Sequence, residues 1–75
     1  MTQEGIYSEL LQILESAIQR EIMAAKLYEE NAARTDNAQA KALLLELAAE
    51  ERRHRELLQK QYEELAGHAI YEDKA

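Results

Sequence analysis

Three ionisable side chains stand where apolar ones belong. Along KALLLELAAEERRHRELLQKQ, alternating steps of four and three residues pick out Ala40, Leu44, Leu47, Glu51, His54, Leu58, Gln61 (with Tyr62 beside it) and Leu65. Glu51 and His54 are three residues apart, nearly one helical turn, so they share a face. The same stepping upstream gives Leu10, Leu14, Ala17, Glu21, Ala24 and Tyr28, with Glu21 again near the middle. Arg52, Arg53 and Arg55 fall off the second line, and Gln19, Arg20, Glu29 and Glu30 off the first. An uncompensated charge on a buried seam costs several kcal/mol, so the pattern demands a partner. Carboxylate-rich sites with an imidazole suit iron or manganese.

The elements that position these groups are two long helices. Ala, Glu, Leu, Gln, Lys and Arg dominate the chain and favour helix, whereas Val is absent and Thr scarce. The apolar period predicts a first helix over about 6–33 and a second over about 37–66. The turn between them, 34–36, is short. Asp36 is positioned to cap the second helix, with Gln39 reaching back to complete a capping box. Gly67 follows the last periodic residue, where a left-handed cap favours glycine, and leaves 67–75 as a short tail, either a docked helical turn or loose chain. So short a turn makes the fold class all-α, a two-helix antiparallel hairpin.

Glu21 lies about 14–15 residues before the turn centre and Glu51 about 15–16 after it, so the two should sit at one height, with His54 a turn further along. A lone hairpin of 75 residues leaves much of both apolar stripes wet, and Ile13, Ile22, Leu43 and Leu57 widen them. With no cysteine to staple the fold, the economical solution is a homodimer that completes a four-helix bundle. Two-fold symmetry would then gather four carboxylates and two imidazoles. Two divalent cations would balance the four carboxylates, which would otherwise repel and tend to hold protons.

Composition narrows the function classes. The chain is one domain, 1–75. The absence of cysteine excludes disulfides, thiol catalysis, iron–sulfur clusters and cysteine-bound zinc. A net charge of −6 argues against nucleic-acid partners and is compatible with attracting cations. No apolar run is long enough for a membrane span, and MTQEGIYSEL lacks the basic and apolar segments of a secretory signal, so a cytoplasmic location is expected.

The stretch REIMAAKLYEENAARTDNAQAKALLLELAAEERRHRELL resembles the rubrerythrin/ferritin-like superfamily. The resemblance rests on Glu21, the small residues Ala24 and Ala25, Tyr28 seven positions after the Glu, and LAAEERRH on the second helix. It covers about half the chain. A full rubrerythrin-type domain carries the pattern twice; this chain carries it once and so is similar to the half-ferritins, such as the encapsulated ferritins. What the resemblance implies is a ferritin-like four-helix bundle assembled from two chains, with dimers able to form larger rings. It further implies iron as the metal, manganese being possible, with a ferroxidase site on Glu21, Glu51 and His54 and with Tyr28 nearby. Glu51 would bridge two irons, Glu21 would be more terminal, and His54 would give each iron its nitrogen.

The chain also departs from these families. The rubredoxin-like iron centre of rubrerythrins needs cysteines. Only eight residues follow Gly67, fewer than the targeting extension of encapsulated ferritins, so an encapsulin shell is not expected. Two other readings stay open. The site could clamp a dimer with metal and turn nothing over, or the three polar residues could be a metal-free device that sets helix register. His68 and the acids Glu29, Glu30, Glu46, Glu50, Glu63 and Glu64 read as solvated surface. Arg52, Arg53 and Arg55 read as partners of Glu residues at helical spacing rather than as an anion site.

Overall fold

The computed structural model describes the backbone of residues 3–74 and the side chains of residues 5–67. Helix α1 spans Gln3–Arg34 and helix α2 spans Ala38–Lys74, and they pack against each other as an all-α hairpin. The molecule is a rod of 58 × 17 × 12 Å. Its long dimension matches the roughly 56 Å expected for the 37-residue α2 at about 1.5 Å per residue.

The turn is built differently from the expected capping box. Asn37, not Asp36, caps α2: its side-chain oxygen accepts from the Ala40 backbone N–H at 2.9 Å, and its carbonyl accepts from Lys41 N–H at 2.9 Å. Thr35 supports it, its hydroxyl accepting from the Asn37 N–H at 3.2 Å while its own N–H closes α1 on the Asn31 carbonyl at 3.1 Å. The third helical residue after Asn37 is Ala40, which has no side chain to reach back. Gln39 therefore completes no box, and the turn is Thr35–Asn37 rather than 34–36.

Gly67 does not end α2 either. No described residue has a positive φ, and the helix continues to Lys74. A glycine inside a helix costs only about 0.5–1 kcal/mol, and no proline follows to stop the ladder. Whether the tail docks is a question about side chains beyond the described residues, and His68 lies among them.

The core is small and made of small groups. Among the described residues, only Ile18, Ala25, Ala32 and Ala48 are buried, with Ala48 wholly inaccessible. Three of the four are alanines, so the helices meet methyl to methyl. Leu14, Leu44, Leu47, Leu58, Tyr62 and Leu65 are half-buried at the edges, whereas Leu10 and Gln61, both on the expected seams, are exposed. Ile6, Ile13, Ile22, Met23, Leu27, Leu43, Leu45 and Leu57 are also large, apolar and exposed.

These exposed residues are not scattered. At about 100° per residue, Ile6, Leu10 and Ile13 form a stripe a quarter-turn from the Ile18–Ala25–Ala32 line of α1. Leu43 and Leu57 flank His54 in a matching stripe on α2, about a quarter-turn from the half-buried Leu44–Glu51–Leu58 line. Because the helices are antiparallel, both quarter-turns lead to the same side of the hairpin. Ile22 and Leu45 lie on the other side. No helix among the described residues is long and apolar enough to cross a membrane.

Candidate metal centre

Glu21 and Glu51 hang from the buried line. Glu21 lies between Ile18 and Ala25 in three- and four-residue steps, and Glu51 follows Ala48 by three. Each is thereby turned to the edge of the helix–helix contact, with side chains only 23% and 20% exposed. The register anticipated from the turn is what the structure has. The two carboxylates face each other across the hairpin, and His54 lies one turn beyond.

His54 Nδ1 is 3.6 Å from Glu21 Oε2 and 3.9 Å from Glu51 Oε2. These separations exceed a hydrogen bond. They are close to the spacing of two donors on one ion, roughly 3–3.6 Å when each lies about 2.1 Å from the metal. One donor atom from each of the three residues falls within 4.8 Å of the others. The group could thus hold a metal ion, the donors ringing a gap rather than bonding across it.

Two further observations fit a cation. Glu21 Oε2 is buried and has no hydrogen-bond partner. Leaving a charged acceptor unsatisfied costs about 1–3 kcal/mol or more, and a cation between the carboxylates removes that cost. The second observation concerns His54, whose side chain is 58% exposed. It stands not in the helix–helix seam, where the sequence placed it, but on the apolar stripe bordering it. A second surface laid on that stripe would cover the imidazole.

The helices also enclose a groove of about 210 Å³ on the side away from that stripe. Glu21 and Glu51 line it together with Lys26, Arg52 and Arg55. Arg52 pairs with Glu29 across the two helices, whereas Arg53 pairs along its own helix with Glu50 at 3.9 Å. Arg55 is half-buried and pairs with nothing among the described residues, so helical spacing accounts for one arginine of the three. Sequence reading left Arg55 and Lys26 out of the site. The signal was available for Arg55, which follows Ala48 by seven residues, two turns along the same line.

Tyr28 is half-buried on α1, two turns from Glu21, and makes no hydrogen bond among the described residues. Glu29, Glu30, Glu46, Glu63 and Glu64 are exposed, and Glu50 is half-buried.

No curated protein and no solved structure matches the chain. The sequence model of one family, Rubrerythrin, matches residues 12–75, a span that includes all three donors and the groove. A family match over that much of the sequence, with two carboxylates facing each other across its two helices and a histidine at their edge, places the chain in the rubrerythrin family.

Proposed function

We propose that two copies of this chain pack through their apolar stripes into a four-helix bundle and handle iron as a ferroxidase, with Fe(II) as the substrate. Glu21, Glu51 and His54 of the two copies would together hold a pair of irons at the dimer interface, in the manner of single-repeat half-ferritins. The observation that carries this reading is the buried, unpartnered oxygen of Glu21 facing Glu51 and His54. The exposed apolar residues beside His54 support the dimer, since each would shed water on association.

The protein's own part is positional. Glu21 and Glu51 supply the negative charge that neutralises the cation, and His54 supplies a nitrogen through Nδ1, the atom nearest both carboxylates. The apolar stripe around His54 would exclude bulk water once covered. When bound, iron supplies the redox chemistry: two Fe(II) give two electrons, which with two protons reduce O₂ to hydrogen peroxide or hydrogen peroxide to two waters.

Anaerobic native mass spectrometry with stoichiometric Fe(II), then air, tests this. A dimer gaining two irons, followed by ferric absorbance on exposure to air, is expected. A dimer that binds metal and ignores air would reduce the site to a clamp. A chain that takes up no iron, manganese or zinc would leave the three residues as a register device. In Glu51→Ala, oxidation should be abolished; wild-type rates there would sink the assignment.

A further inference from the structure

We propose that the groove on the outer side of the hairpin binds a small oxyanion, and that it does so once a divalent cation occupies Glu21 and Glu51. The inference rests on the metal reading of those two carboxylates. The groove is lined by three cationic side chains, Lys26, Arg52 and Arg55, and three acidic ones, Glu21, Glu29 and Glu51. In the metal-free chain their formal charges cancel. A divalent cation neutralises Glu21 and Glu51 at the base, and the remaining groups then leave the groove with two net positive charges.

The arrangement of the cations points the same way. Arg52 is committed to Glu29 through one of its nitrogens. Lys26 and Arg55 have no carboxylate partner among the described residues, although the chain as a whole is acidic. Arg55 is half-buried, lines the groove and has no anionic partner among the described residues, and the donor fork of a guanidinium is matched to a planar or tetrahedral oxyanion. The groove's volume of about 210 Å³ is far above the roughly 10–15 Å³ that one water needs and is ample for an ion of sulfate's size. It opens away from the stripe that carries His54, so a second copy packed on that stripe leaves it free.

Anion and cation would therefore bind with positive coupling, and the coupling is reciprocal. The test is calorimetric titration of inorganic sulfate into the full chain, with and without one equivalent of Zn(II), which carries the charge without redox chemistry. Zn(II) uptake is measured in the same samples. Sulfate is expected to bind about tenfold more tightly to the loaded chain, within the usual range for coupled sites. Arg55→Gln should erase that preference. Lys26→Gln, at an exposed position, should weaken it and covers the case that Arg55→Gln fails to fold. Equal sulfate affinity with and without bound Zn(II), or an unchanged preference in a folded Arg55→Gln or in Lys26→Gln, overturns the oxyanion site and leaves the metal reading standing. Failure of the wild-type chain to take up Zn(II) overturns both.

Discussion

Replacing Glu21 with Gln keeps the side chain's size and removes its charge, and the structure gives the effect opposite signs with and without metal. In the metal-free chain, Glu21 Oε2 is buried without a donor, 3.6 Å from His54 Nδ1 and near a second carboxylate. An unsatisfied charged acceptor costs at least about 1–3 kcal/mol. The side chain is still 23% exposed, so the lower end applies, about 1 kcal/mol. The Gln amide can also donate to Glu51. For a domain of this size, about 1 kcal/mol corresponds to a rise of roughly 4–8 °C in Tm. With metal the ranking reverses. A ligand at 100 times its Kd stabilises the folded state by about 2.7 kcal/mol, and the variant, lacking one of three donors, forfeits most of that. The assay is thermal unfolding followed by circular dichroism at one fixed chain concentration, in chelator and again with excess Mn(II) or Zn(II). A variant that melts below wild type in chelator while responding equally to metal would refute the reasoning. It would mean that the buried oxygen is neither strained nor a ligand.

Further outcomes are expected elsewhere. Gly67→Ala should raise stability by about 0.5–1 kcal/mol in the same melts, because the helix runs through Gly67 and a Cβ there meets nothing within 4 Å. Asn37→Ala should lose about 1 kcal/mol with the cap, whereas Asp36→Ala should lose much less. Arg52→Gln should cost under about 1 kcal/mol, an effect that shrinks in high salt, because both partners of its ion pair are nearly half exposed. Ile13→Asp should shift sedimentation toward the monomer while leaving the helical signal of any remaining dimer unchanged.

The helices and the meeting of Glu21 with Glu51 were legible in the sequence because both follow from local rules. A period of 3.6 fixes which residues share a face, and a three-residue turn fixes which heights coincide. The turn's details were less legible. Asp36 and Asn37 are adjacent and are both good caps, so the choice depends on where the Thr35 hydroxyl can hold the chain. Gly67 was misread because a glycine after a periodic run signals an end only if the backbone turns left-handed there. The rotation of each helix about its axis was the hardest to read. Each helix carries two apolar lines a quarter-turn apart, and stepping by threes and fours slips easily from one to the other. Steric fit decides between them: the alanine line allows the closest approach, so Ala25, Ala32 and Ala48 took the contact. That rotation brought Arg55 to the seam and left Leu10 and His54 outside it.

The alanine contact also acts as a gauge. Ala48 is fully enclosed one turn from Glu51, and Ala25 is enclosed one turn from Glu21. The span between the carboxylates is therefore set by methyl groups, the narrowest side chains that still pack. A bulkier residue at Ala48 would wedge the helices open and widen the carboxylate gap without touching a donor. On the proposed metal reading, the ionic radius that the site tolerates is set partly by residues that carry no ligand atom. A graded series at Ala48, from Gly through Ser to Val, should move selectivity among divalent cations of different size with Glu21, Glu51 and His54 all unchanged.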